Sequence, residues 1–357
     1  MFGVGSIPGG IIADKYNKKN TMILSLILTP ISFIFIILSS NSIVLLGAFA
    51  IGGLMSGGIT GALLEPARIS YIADKVKPEK LYKSYALYHG SWLLGTGVGA
   101  LLALVPELLQ TKFLYDIFLS YKISFFIGIV FSLFAIIAVL SISKDSKQDQ
   151  EKHSVSIKDL YQNYRKLYSL KEKIDLRNFC IILLIWGSSF MVIPLLPVWF
   201  NLQFGVFESS IAIWFALFNF GSIPLLIIAN KLKRDQTPAV VLSLQAVSSA
   251  AFIVMAISNN FIIAGLCLVT MMILFNFISP LFHSWFIPRF KPEVRGMTIA
   301  IMFTMFSITS GITPAIAGYM FDKSLLALPF IISAFLFLVT GLCFYILIVK
   351  KEKTSDR

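Results

Sequence analysis

Residues 5–21 read GSIPGGIIADKYNKKNT, and residues 221–237 read GSIPLLIIANKLKRDQT. The two stretches align without a gap at an offset of 216. Gly5, Ser6, Ile7 and Pro8 match Gly221, Ser222, Ile223 and Pro224. Ile11, Ile12, Ala13 and Lys15 match Ile227, Ile228, Ala229 and Lys231. A second register, at an offset of 214, pairs Pro66 with Pro280 and Gly97 with Gly311. It also pairs Lys77, Pro78 and Glu79 with Lys291, Pro292 and Glu293. Each pair holds the same place relative to the long apolar runs around it. A chain duplicated in this way is expected to fold as two related halves.

What those halves are made of follows from composition. Of 357 residues, 57% are hydrophobic and only 13% charged, and the mean hydropathy is +0.83. A soluble domain carries about twice that charged fraction. Phenylalanine alone occurs 32 times. Crossing a hydrocarbon layer of about 30 Å takes roughly 20 apolar residues as a helix. Ten runs meet that length: 21–39, 43–66, 84–105, 121–142, 178–200, 209–230, 238–258, 261–287, 296–320 and 327–349. An eleventh, 2–13, reaches only about 18 Å, roughly half a bilayer. Helices are forced, because a backbone amide in lipid must find its partner within its own segment.

Basic residues give the orientation. The segments 14–20, 68–83, 143–177, 231–235, 289–295 and 350–357 hold 27 of the 30 Lys and Arg. The alternate connections hold only Lys112, Lys122 and Lys323. Positive charge collects on the cytoplasmic side of a membrane protein. The first set, with the C-terminus, is therefore expected in the cytoplasm, and the chain is expected in the cell membrane as a multi-pass protein.

Several function classes drop out. The net charge of +12 is parcelled between apolar runs rather than clustered on one solvated face, so no nucleic-acid partner is expected. Cys180, Cys267 and Cys343 each sit inside an apolar run and read as small hydrophobes. No disulfide framework or metal-ligand spacing appears, and no cofactor is implied. An enzyme would need a clustered nucleophile and base, a metal set or a phosphate loop. An ATP-driven pump would need a Walker-type Gly-Lys-Ser/Thr run. Neither pattern is present.

The repeat divides the chain into an N-terminal helical half, 1–142, a charged cytoplasmic linker, 143–177, a C-terminal half, 178–349, and a tail, 350–357. Both copies carry the same loop on the same side, so the halves are parallel repeats, one of the transporter architectures. The offset leaves about 40 residues of the first half without a counterpart. The expectation is an all-α membrane bundle of two pseudo-symmetric halves with about 11 of 12 helices present. A truncated chain or a misassigned start would account for the missing helix.

At this point a family resemblance is specific. Gly10, then three residues, then Asp14, Lys15, Tyr16, Asn17, Lys18 and Lys19 resemble the loop motif between the second and third helices of the major facilitator superfamily. Asn17 stands where the family has glycine, and asparagine tolerates a left-handed backbone. Asn230, Lys231 and Lys233 form a degenerate copy. The resemblance implies a twelve-helix fold working by alternating access. It also implies that Asp14 lies against the start of the eleventh helix, near Gly296, and closes the cytoplasmic side. An anion is indeed disfavoured at its own helix C-terminus and favoured at another helix's N-terminus. Lys15, Lys18 and Lys19 suit a helix end and anionic headgroups. The plain alternative is an ordinary basic turn. Other family signatures are weak: no charge lies in the middle of 43–66. Gly90, Gly95, Gly97 and Gly99 lack the proline of the family's exporter motif, and Pro314 and Gly318 echo it only in part.

Candidate site residues follow from polarity inside apolar runs. Glu65 is the one acid there, with Arg68 three residues on. The pair is either an interfacial ion pair with a snorkelling arginine or a responsive carboxylate at a cavity mouth. Tyr85, Tyr88, His89 and Trp92 fall on one helix face, as an aromatic belt or a cavity lining. His283, beside Ser279, Ser284 and Trp285, could titrate near neutral pH or simply join two helices by hydrogen bonds. In the family the first, fourth, seventh and tenth helices line the cavity. By that resemblance Trp186, Ser188, Ser189 and Asn276 are substrate contacts. Pro194 and Pro197 are expected to bend 178–200. Gly53, Gly57 and Gly61 form a stripe for close packing. Residues 155–170 suit an amphipathic surface helix or a plain linker.

The function expected is secondary transport of a small hydrophobic or amphipathic solute by alternating access, exporter-like, by a monomer in lipid. A coupling proton is a further expected partner. The alternative is a transporter-like membrane sensor or assembly protein without transport activity.

Overall fold

The structure is a computed structural model that describes residues 12, 18–52, 58–77, 80–142, 168–206, 208–229, 237–291 and 295–349. Those residues form α1 (Lys18–Leu38), α2 (Ser42–Gly52), α3 (Ile59–Lys75), α4 (Leu81–Leu102), α5 (Val105–Phe113), α6 (Ile117–Leu140) and α7 (Leu170–Ser189). There follow α8 (Leu196–Phe204), α9 (Glu208–Ala229), α10 (Thr237–Ile257), α11 (Phe261–Phe286), α12 (Arg295–Asp322) and α13 (Leu328–Phe344). Among the described residues eight helical stretches are long and apolar enough to cross a membrane, and two shorter apolar helices accompany them. Gly10, Asp14, Lys15, Gly53 and Gly57, the repeat copy around Asn230, and most of the half-span 2–13 and of 155–170 lie outside the described residues.

Short polar side chains cap the starts of α6 and α11. Asp116 Oδ2 accepts from the Phe118 amide at 2.8 Å and the Leu119 amide at 3.4 Å. Asn260 Oδ1 does the same for Ile262 and Ile263, at 2.9 and 3.2 Å. In each case two of the amides left without a helical partner are satisfied. α8 ends on Gly205, whose φ of 64° is the left-handed turn that glycine adopts without strain.

Three spans differ from their sequence reading. The run 43–66 was expected as one helix. α2 and α3 cover nearly all of its described residues, and α3 runs past the expected end to Lys75. Hydropathy stops at the first charges, but ARISYIADK after Pro66 contains no Gly or Pro to end the helix. Likewise α7 starts at Leu170, ahead of the expected 178, because Ser169 and Glu172 make a capping box over charged residues. Finally, 178–200 is interrupted rather than bent. Proline lacks an amide and clashes with the carbonyl four residues back. With Pro194 and Pro197 so placed, the chain passes into three-residue turns: Phe190 N bonds Gly187 O at 3.2 Å, Ile193 N bonds Phe190 O at 3.1 Å, and Leu195 N bonds Val192 O at 3.0 Å. The helix resumes at Leu196.

The chain divides into two compact units, one holding Met1–Lys77, Val105–Lys173 and Arg289–Thr304, the other Pro78–Leu104, Ile174–Pro288 and Met305–Arg357. In the first, α1 packs against α2, α3 and α6, and α5 against α6. Gly128 lets α6 approach α1 closely: a Cβ there would stand 2.9 Å from the Phe33 ring. The outward face of α6 is apolar, with Phe126, Phe134 and Ile137 each more than 60% exposed. Water would penalise such a face and lipid does not.

In the second unit α9 packs against α4, α8 and α11, α4 against α11, and α10 against α11 and α13. Gly97 of α4 sits against Phe220 of α9, where a Cβ would fall 2.9 Å from the ring. Gly187 of α7 sits so close to α12 that a Cβ would collide with the Phe306 carbonyl and the Thr309 hydroxyl.

Candidate functional site

Polar side chains gather in two places, one in each unit. In the first unit the charged group is Lys18, Asp74 and Arg295. Asp74 near the end of α3 accepts from Lys18 Nζ at the start of α1. Its other oxygen lies 3.6 Å from Arg295 Nη1, at the first residue of α12. Arg295 also donates from Nε to the Phe290 carbonyl at 3.1 Å. One carboxylate therefore joins two cations from helices far apart in sequence. Lys19, buried, donates to the carbonyls of Leu140 at 2.7 Å and Ile142 at 2.5 Å. Those are acceptors at the C-terminal end of α6, where the helix dipole favours a cation.

Sequence reasoning singled out Asp14 for the start of α12, and Asp14 is outside the described residues. It missed Asp74 and Arg295. The signal available was that Asp74 is the one acid in an otherwise basic stretch, ARISYIADK.

Glu65 and Arg68 form the pair that their spacing allows. Arg68 Nε donates to Glu65 Oε2 at 3.2 Å, and Nη2 reaches Oε1. Because α3 runs on to Lys75, Glu65 sits in the interior of its helix and not at the end.

In the second unit the polar face of α4 turns toward α9 and α11. Tyr85 is 1% exposed, and its ring centroid lies 6.1 Å from that of His283 on α11. His89 stacks on Trp92 at 5.2 Å. Tyr82 packs on Phe277 and Leu281 of α11. One turn beyond Trp92, Thr96 Oγ1 donates to Asn219 Oδ1 of α9 at 2.7 Å. The Asn219 amide is oriented by its own bond from Nδ2 to the Phe215 carbonyl, also 2.7 Å. Asn276 of α11 donates from Nδ2 to Ser222 Oγ at 3.0 Å, and Ser222 Oγ in turn donates to the Phe218 carbonyl at 2.6 Å. Thr96, Asn219 and Ser222 were missed from sequence. Their only signal was polarity within apolar helices, and that does not reveal a partner.

Trp186 of α7 is buried among aromatic rings: Phe275 at 5.5 Å, Phe282 at 5.6 Å, Phe306 at 6.0 Å and Phe190 at 6.4 Å between centroids. Ser189, fully buried, donates to the Trp186 carbonyl at 2.5 Å, and Ser188 to Leu184 at 2.8 Å. Both hydroxyls thus satisfy carbonyls just where the α-helical ladder stops. The group contains donors, acceptors and flat apolar faces. Among the described residues no set of three or more His, Cys, Asp or Glu could hold a metal ion.

The chain is similar in fold to solved transporters. The crystal structure of the human organic anion transporter MFSD10 (TETRAN) superposes with a TM-score of 0.75 at 13% identity, over 96% of this chain and 81% of that one. The proton:xylose symporter XylE bound to 6-bromo-6-deoxy-D-glucose gives 0.68 at 14% identity, over 96% and 83%. FucP in the outward conformation gives 0.66 at 14% identity, over 97% and 87%. No curated protein matches the sequence. A family model described as Major Facilitator Superfamily matches residues 1–288 and, a second time, residues 179–357. Helices of membrane-crossing length, a family model whose matches together span the chain and a fold shared with three transporters agree: this chain belongs to the major facilitator superfamily.

Proposed function

We propose that the protein is a secondary transporter that moves a small hydrophobic or amphipathic solute by alternating access, in the export direction, as a monomer in the bilayer. The observation that carries this reading is the chemistry of the polar groups in the second unit. They are amides, hydroxyls, indoles and imidazoles set among phenylalanines. α4, α10, α11 and α13 contain no Asp or Glu. Such a surface offers apolar area with a few neutral hydrogen bonds, which suits an apolar or amphipathic solute. A densely hydroxylated or multiply charged solute would leave its own polar groups unpaired. Trp186, Ser189 and Asn276 are the contacts proposed for the solute, and Tyr85 and Trp92 extend them. His89 and His283 are the groups proposed to carry a coupling proton, since imidazole titrates nearest neutral pH.

In this reading the halves 1–142 and 178–349 exchange access, with the loops 14–20, 68–83, 143–177, 231–235 and 289–295 in the cytoplasm. The Asp74 carboxylate, between Lys18 and Arg295, then acts with Asp14 to hold the cytoplasmic side closed. The test is purified full chain in proteoliposomes, under an imposed pH gradient, with fluorescent amphipathic amines, neutral aromatic compounds, organic anions and sugars. Flux of the apolar or amphipathic members, lowered in Asp14→Ala and Asp74→Asn at unchanged expression, is expected. Flux of sugars alone would overturn the solute class, and no flux of any member would favour the sensor or assembly role.

A further inference from the structure

We propose that Glu172 and Tyr168 are positioning residues of the transport cycle, holding the turn before α12 so that Arg295 meets Asp74. This rests on the reading of Asp74 as part of the cytoplasmic closure. All the groups lie within the first unit.

Glu172 is buried, and its two oxygens do different work. Oε2 accepts from the Ser169 amide at 2.7 Å, while Ser169 Oγ accepts from the Glu172 amide at 3.2 Å. That is a reciprocal cap on α7. Oε1 accepts from the Lys291 amide at 3.2 Å, which belongs to the turn between α11 and α12 and not to α7 at all. Tyr168 reinforces the same tie. Its hydroxyl is 2.8 Å from Thr298 Oγ1 in the first turn of α12. Its ring meets Phe290 edge-on at 6.3 Å. Phe290 in turn supplies the carbonyl that Arg295 Nε holds. The path therefore runs from the start of α7, through Lys291 and Phe290, to Arg295 and Asp74. Every link is a hydrogen bond, an ion pair or a ring contact, except the peptide bond that joins Phe290 to Lys291.

A capping residue alone would stabilise α7 and nothing else. Chemistry separates the two roles. Only a carboxylate has two acceptor oxygens, and glutamine has one. Capping boxes accept glutamine as well as glutamate. Glu172→Gln therefore keeps the cap at Ser169 and loses the bond to Lys291.

The experiment uses the full chain in lipid nanodiscs, with Cys180, Cys267 and Cys343 changed to serine and a reporter cysteine at Ala300, which is fully buried in α12. The rate of alkylation by a maleimide reports how often this end of α12 comes free. Glu172→Gln should raise the rate about tenfold, the scale of one hydrogen bond to a charged group. Tyr168→Phe, which removes a single hydroxyl, should raise it less. It serves as the independent test if Glu172→Gln does not fold. In an Asp74→Asn background both should have no further effect, because the contact they position is already gone. Equal increments in both backgrounds, or an unchanged rate in Glu172→Gln and Tyr168→Phe, would overturn the proposal. If Asp74→Asn alone leaves the rate unchanged, the closure reading itself fails, a result distinct from the failure of Glu172 to act.

Discussion

The bond between Thr96 and Asn219 joins α4 to α9 across 123 residues of sequence, and its removal should be asymmetric. The Thr96 hydroxyl has one proton and three acceptors in reach: Asn219 Oδ1 at 2.7 Å and the carbonyls of Trp92 and Leu93, each at 3.1 Å. If Asn219 becomes leucine, the proton falls back on those carbonyls and little is lost. If Thr96 becomes valine, the amide oxygen of Asn219 has no donor. It cannot turn away, because its nitrogen is anchored to the Phe215 carbonyl at 2.7 Å, and the residue is only 4% exposed. Interhelical hydrogen bonds in membranes are worth about 0.6 kcal/mol on average and about 1.7 at most. Burial without a donor places Thr96→Val near the upper figure. Asn219→Leu should lie near zero, and so should the double variant, in which both polar groups are gone. A loss of about 1.5 kcal/mol corresponds to a fall of about 3–6 °C for a domain of 150–250 residues. The assay is the thermal midpoint in detergent at a fixed scan rate, followed by size-exclusion chromatography, for the two single variants and the double. Thr96→Ser should restore the parent value. The reasoning is refuted if the double variant is as unstable as Thr96→Val, for then no unpaired oxygen was responsible.

Two further outcomes can be read in the same assay. Gly187→Ala drives a methyl group into the Phe306 carbonyl and the Thr309 hydroxyl. A backbone carbonyl cannot step aside, so overpacking of about 1–3 kcal/mol is expected, and an unchanged midpoint would show that α7 and α12 are not in contact there. Ser222→Ala removes the acceptor of the buried Asn276 amide and should cost about 1 kcal/mol, recovered in Ser222→Ala with Asn276→Leu; failure of the second change to recover it would rule out the pair.

The site was legible in the sequence only where its contacts are local. Glu65 and Arg68 meet because three residues along a helix return to the same face. Tyr85, His89 and Trp92 share a face for the same reason. Ser169 and Glu172 carried the capping-box pattern openly, but charged neighbours hid it from a search for apolar runs. Nothing in the spacing of α4 says that Tyr85 meets His283, nearly 200 residues on, and nothing near Asp74 names Arg295. Polarity marks a residue as unusual and leaves its partner open.

The sequence by itself determined that lipid is the solvent, that the apolar runs are helices, that the chain is duplicated, and that Pro194 and Pro197 disturb the run 178–200. Each of these depends on transfer free energies, proline geometry or a repeat along the chain, which are properties of neighbouring residues. Only the tertiary structure decided that α4 packs with α9 and α11, that Asp74 lies between Lys18 and Arg295, and that Glu172 reaches the turn before α12. Those pairings depend on which apolar faces fit together. Many apolar helices have interchangeable surfaces as far as hydropathy is concerned, and it is the shape at glycines such as Gly97 and Gly187, with the few buried hydrogen bonds, that selects one arrangement.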